Sequence, residues 1–209
     1  MVIDEEFIKH LKGKSTFEEY LLLYTLVRLL KPKKILEIGT WKGASAIVMG
    51  KALQDMDIDG HIYTIEIHPE LVKIAQDEIK KHGLSEIITV VHGRSEVEAK
   101  KFEDMDLIFI DGEHEYSQAK ADWEAVKGHG KIYLFHDAFN PGPKRVLKEI
   151  LMEGEYRVVF LDYPFGEIYH DGIAYQKYKG GFAIVESTNT DTKSAFGIII
   201  NRPPKYVER

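Results

Sequence analysis

The chain has 209 residues, enough for one domain with a core that needs no staples, and it lacks cysteine, which excludes disulfides, thiolate metal sites and a cysteine nucleophile. Acidic residues outnumber basic ones 34 to 28, a formal net charge of −6, so the positive field that phosphate backbones require is missing and nucleic acid is not an expected partner. No apolar run reaches the roughly 18 residues of a membrane span and no secretory leader is visible, so the expectation is a cytoplasmic protein with no membrane partner.

Residues 1–33 read as an N-terminal helical segment. Ser15-Thr16-Phe17-Glu18 has the form of a capping box opening an apolar helix to about Leu30, and the basic run KPKK ends it. Seven apolar, β-branched runs follow: KILEIG (34–39), HIYTIE (61–66), IITVVHG (87–93), DLIFID (106–111), KIYLFHD (131–137), YRVVFL (156–161) and GFAIVE (181–186). Short runs of this kind are strands buried on both faces. Between the first five lie helix-forming stretches at 43–54, 69–82, about 95–102 and 117–126, and another at 142–152 follows the fifth. Strand and helix in unbroken alternation predict a parallel sheet with right-handed crossovers. The expected fold is thus a single α/β domain over 1–209, doubly wound around a mostly parallel seven-stranded sheet with its last strand antiparallel.

The last two strands are joined by residues 162–180, which hold five aromatic side chains. Two readings stand side by side: a hairpin packing on a neighbouring copy in a homo-oligomer, or an aromatic lid over an active site. The tail at 188–209 fits an added edge strand or a docking arm.

In open parallel sheets ligands bind beyond the carboxyl ends of the strands, where the winding reverses. After the first strand comes EIGTWKGAS (37–45), in which Gly39 and Gly43 permit a tight turn. Trp41 stands where a dinucleotide turn would carry its middle glycine, and an indole there obstructs a pyrophosphate. Glu66 ends the second strand, where a carboxylate accepts the hydroxyls of a ribose. Together these point to a nucleoside without a diphosphate.

Asp111 ends the fourth strand and Asp137 the fifth, with His136 just before it. Neighbouring strands lie about 5 Å apart, so the two carboxylates come within reach of one cation. Helix capping explains neither acid, because Ser117 is the better cap for the helix after Asp111, and Asn140 with Pro141 opens the one after Asp137. Oxygen ligands suit Mg²⁺, whereas an imidazole favours Mn²⁺, Fe²⁺ or Zn²⁺. In FIDGEHEY (109–116) a flexible glycine separates Asp111 from Glu113 and His114, either of which is a candidate proton acceptor.

From about residue 35 to 150 the chain resembles the class I S-adenosylmethionine-dependent methyltransferases. The resemblance places Glu37 near the methionine end of the cofactor, with Gly39, Thr40, Gly43, Ala44 and Ser45 around the sulfonium amino acid. It implies Glu66 on the ribose, Ile67 or His68 beside the adenine, and Gly93, Arg94 and Ser95 flanking it. FIDGEHEY and LFHDAF resemble the metal-dependent small-molecule O-methyltransferases of the catechol and antibiotic-sugar tailoring types. This implies a divalent ion, Mg²⁺ or Mn²⁺, on Asp111, His136 and Asp137, with Asp111 also near the cofactor and Glu113 or His114 as the base. The family usually shows Asp-Asn or Asp-Asp where this chain has His136-Asp137. The expected reaction moves a methyl group to a hydroxyl of a small molecule or sugar. The competing readings are a noncatalytic nucleoside-binding module and a nicotinamide-dependent oxidoreductase, the latter disfavoured by Trp41.

Overall fold

The computed structural model describes residues 3–161, 167–170, 173–177 and 181–187. A short helix α1 (Glu5–Lys9) and the long α2 (Phe17–Leu30) precede the alternating part. There follow β1 (Lys34–Ile38), α3 (Ala44–Asp55), β2 (His61–Glu66), α4 (Pro69–Lys81), β3 (Ile88–His92), α5 (Ser95–Glu98), β4 (Met105–Ile110), α6 (Tyr116–Val126), β5 (Gly130–Phe135) and α7 (Pro141–Glu153). Strands β6 (Tyr156–Leu161), β7 (Glu167–His170), β8 (Ile173–Lys177) and β9 (Phe182–Ser187) complete the described chain.

Seven strands form one sheet in the order β3-β2-β1-β4-β5-β9-β6, with β9 antiparallel to both neighbours and the other pairings parallel. The winding runs outward from β1 to β3 and resumes on the other side of β1 at β4, so the switch point lies between β1 and β4. Both faces are covered. Ile35, Leu107, Phe109 and Leu134 face the side packed by α2 and α3, while Leu36, Ile38, Ile108 and Phe135 face Trp123 of α6 and Val146 and Leu147 of α7. Because both faces are apolar, β1 and β4 are buried almost without interruption instead of alternating.

Three local expectations shift. The capping box falls one residue later: Thr16 Oγ1 accepts the Glu19 N–H, and Glu19 Oε2 accepts the Thr16 N–H at 2.7 Å. Both frames satisfy the motif, but only this one turns Glu19 inward, where it is 2% exposed. The 95–102 helix is instead a single turn, α5, followed by a 3₁₀ turn at Ala99–Lys101. Helix α6 begins at Tyr116 with Glu115, not Ser117, at its cap position; Asn140 and Pro141 do open α7. Within 162–180, β7 and β8 pair as an antiparallel hairpin. The aromatic side chains of that stretch and the tail at 188–209 lie outside the described residues. Among the described residues, no helix is long and apolar enough to cross a membrane.

Candidate active site

A cavity of about 780 Å³ opens at the carboxyl ends of β1, β2, β4 and β5, across the switch point. Its floor is the turn after β1. Gly39 (φ +96°) lets β1 and β4 converge, since a Cβ there would meet the Asp111 carbonyl oxygen at 2.0 Å. Trp41 sits in the left-handed region (φ 47°) and lines the cavity, with Lys14 and Lys42 ammonium groups 4.4 and 4.5 Å from its ring. Gly43, also left-handed, is the cap residue of α3.

Glu66 ends β2 with its carboxylate in the cavity, and the turn is built around it. One oxygen accepts the Trp41 N–H at 2.8 Å and the other the His68 N–H at 2.9 Å. Thr40, Ala44, Ser45, Ile67, His68, Gly93, Arg94 and Ser95 also line the cavity, while Glu37 and Gly43 do not reach its surface. Glu37 is fully buried; the Ser45 and Thr64 hydroxyls donate to it, Thr64 at 2.5 Å. Burial pushes its carboxyl up to about 8, against those two hydrogen bonds. Arg94 is engaged by Glu96, which its Nε reaches at 2.6 Å.

The opposite end of the cavity brings four side chains together. Asp111, His114, His136 and Asp137 offer ligand atoms that all lie within 4.8 Å of one another. Asp137 adopts φ 51°, a left-handed conformation that aspartate tolerates better than most residues. His136 Nδ1 stands 3.1 Å from both Asp111 Oδ1 and Asp137 Oδ2, and His114 Nε2 is 2.7 Å from Asp137 Oδ2. Burial opposes a charge on His136, but Asp111, Asp137 and Glu19 more than offset it and hold its pKa well above the ordinary imidazole value. The hydrogen bond to Asp137 likewise raises His114. Gly142, at the start of α7, permits this approach: a Cβ there would lie 2.0 Å from the His114 carbonyl oxygen.

These donors fit a divalent cation. Ligands at about 2.0–2.2 Å from one ion lie up to about 4.4 Å apart, so shifts of a few tenths of an ångström would close the set. Both ring nitrogens of the buried His136 face carboxylates without a well-aligned hydrogen bond, which leaves a nitrogen able to turn its lone pair to an ion.

Sequence reading missed the wall formed by the N-terminal segment, where Gly13, Lys14, Ser15, Glu19 and Tyr20 line the cavity. The Ser15/Thr16 capping signal marks a helix start but carries no hint of where that start docks. It also missed Gln118 and Asp122 of α6, which close the cavity near Ser95; Ser95 Oγ donates to Asp122 at 2.5 Å.

A parallel sheet wound in this order, with an antiparallel strand between the fifth and the last and a cavity at the switch point, is the Rossmann-like fold of S-adenosylmethionine-dependent methyltransferases. Residues 36–138, just under half of the chain, match the sequence family described as a methyltransferase domain. It is 41% identical over 61 residues to a protein-L-isoaspartate O-methyltransferase of Staphylothermus marinus, spanning 28% of this chain and 27% of that one. It is 33% identical over 93 residues to the catechol O-methyltransferase of Sus scrofa, spanning 42% and 48%. These matches therefore cover half or less of the relatives' own length. Among solved structures, the O-methyltransferase from Bacillus cereus in complex with SAH superposes with a TM-score of 0.69 at 18% identity, over 86% of this chain and 85% of that one.

Proposed function

We propose that this chain binds S-adenosylmethionine and transfers its methyl group to a hydroxyl of a small molecule, with a divalent cation assisting. The observation that carries the reading is the joint presence, in one cavity, of a nucleoside-type end and a cation-type end. At the first, each oxygen of Glu66 accepts one backbone N–H and keeps a lone pair for a ribose hydroxyl. Ile67, 44% exposed, and Leu71 offer apolar surface to the adenine. Glu37 fixes Ser45 in the turn that faces the methionine part.

At the other end Asp111, His136 and Asp137 would hold the cation. Such an ion supplies Lewis-acid stabilisation of a deprotonated hydroxyl, which otherwise has a pKa near 10 for a phenol. His114 is the proton acceptor in this reading. Its Nε2–H donates to Asp137, so the proton arrives at Nδ1, and the Asn140 side-chain amide lies 3.4 Å from that atom. Without a cation, the pairing with Asp137 stabilises the imidazolium and raises His114 above a free imidazole, and the same pairing fixes the ring for proton transfer. Glu113 also lines the cavity and is the weaker candidate, since among the described residues no hydrogen bond or ion pair orients it, whereas Asp137 orients His114. Tyr20, Trp41 and Leu71 add apolar surface to the cavity wall, which suits a displacement in which an anion and a sulfonium become two neutral products.

The test joins calorimetric titration with S-adenosylhomocysteine to a turnover screen of catechols, other phenols and sugars in the presence of Mg²⁺ or Mn²⁺. Binding in the micromolar range and release of S-adenosylhomocysteine with at least one hydroxylated acceptor are expected. An absence of binding at millimolar ligand would refute the reading.

A further inference from the structure

Glu19 belongs to none of the sequence motifs that point to the cavity, yet its carboxylate is buried beside the cation-type cluster. One oxygen, Oε2, closes the capping box of α2 on the Thr16 N–H. The other, Oε1, faces His136 Nε2 at 3.4 Å. The His136 ring is held edge-on by Phe182 and Phe109, at centroid distances of 5.1 and 6.1 Å, so it has little freedom to turn. Its two nitrogens therefore look in opposite directions: Nδ1 at Asp111 and Asp137, Nε2 at Glu19. Neither makes a hydrogen bond of acceptable geometry. Three carboxylates offset the burial of this ring by charge, and the same arrangement suits one nitrogen coordinating an ion while the other donates to a carboxylate.

We propose that Glu19 is a positioning residue for the cation site: it holds the His136 proton at Nε2, directs the Nδ1 lone pair at the space between Asp111 and Asp137, and ties that site through Thr16 to the N-terminal wall of the cavity. The inference rests on the cation reading above. The alternative tautomer, with the proton on Nδ1, would point an N–H at the space the ion occupies and block coordination from His136. Glu19 decides between the two because a carboxylate only accepts. The same side chain anchors the start of α2, whose preceding residues Gly13, Lys14 and Ser15 line the cavity, so one group links helix docking to ligand geometry.

The experiment titrates Mn²⁺ into metal-free full-length protein, by calorimetry and by electron paramagnetic resonance. Wild type is compared with Glu19→Gln, Glu19→Leu, Thr16→Ala and Asp111→Asn. Glu19→Gln keeps a side chain able to close the capping box, and it should weaken Mn²⁺ binding roughly tenfold; Glu19→Leu should weaken it by up to about 100-fold. Thr16→Ala loses the hydroxyl half of the cap but keeps Glu19, so its Mn²⁺ affinity should match wild type while its thermal midpoint falls. S-adenosylhomocysteine affinity should be unchanged in Glu19→Gln, which keeps the capping box closed. Pulsed resonance should show imidazole ¹⁴N coupling to Mn²⁺ in wild type and a reduced coupling in Glu19→Leu, a signature that loss of stability alone would not produce. If Glu19→Leu fails to fold, Glu19→Gln decides alone. Mn²⁺ affinity within twofold of wild type in Glu19→Gln and in any folded Glu19→Leu, with the ¹⁴N coupling retained, would overturn the role of Glu19. A wild type that binds no Mn²⁺, or binds it equally well after Asp111→Asn, would remove the cation reading and this inference with it.

Discussion

Glu37 offers a quantitative test of how the cavity floor is built. It lies near the carboxyl end of β1, fully buried, on the face covered by α2 and α3, and among the described residues the Ser45 and Thr64 hydroxyls are placed to compensate it. Its carboxyl is raised from 4.5 to about 8, chiefly by burial. An acid with a raised folded-state pKa keeps its proton when folded and loses it when unfolded across that interval. Folding stability from this group is therefore undiminished below about pH 4.5, declines as pH rises to about 8, and stays level above. At about 1.4 kcal/mol per pH unit, the interval sets an upper limit of about 5 kcal/mol on the loss. Glu37→Gln removes the titration while keeping an acceptor for a hydroxyl. Urea unfolding at about pH 5 and about pH 9 should show the variant gaining about 2–4 kcal/mol on wild type between the two. Other titrating groups contribute to both proteins and drop out of the difference. Parallel stability profiles would refute the assignment of a neutral Glu37 to the folded state near neutrality.

Gly39→Ala should destabilise the chain by about 2–4 kcal/mol, since it combines a left-handed backbone with a Cβ driven into the Asp111 carbonyl, and a thermal melt measures this. Glu66→Gln should weaken S-adenosylhomocysteine binding about tenfold in calorimetry while leaving Mn²⁺ affinity intact, because one accepting oxygen of the pair is replaced by a donor. Exhaustive EDTA treatment should abolish turnover and Mg²⁺ or Mn²⁺ should restore it; Asp137→Asn should lower kcat by at least about 100-fold with cofactor affinity retained. In wild type, kcat should rise with pH through a single ionisation, and His114→Gln should lose that limb, whereas Glu113→Gln should keep it.

The sheet was legible in the residues because strands buried on both faces must be continuously apolar, and each predicted run coincides with an observed strand to within a residue or two at its ends. Glu66, Asp111 and Asp137 were legible for a related reason. A charged residue at the end of such a run leaves the apolar layer at the rim where ligands bind. Local signals were weaker wherever two frames were chemically equal. Ser15/Glu18 and Thr16/Glu19 both spell a capping box, and only the contact between α2 and the rim of β5 selects the frame that places Glu19 beside His136.

The sequence by itself thus determined the alternation of strands and helices and the polar residues at the strand ends, because these follow from periodicity and side-chain chemistry along the chain. Tertiary structure alone decided which of those residues meet. It brought His114 to Asp137 across Gly142, placed the N-terminal segment over the cavity and set Asp122 against Ser95. Such meetings depend on close packing between elements distant in the chain, and no local pattern encodes them.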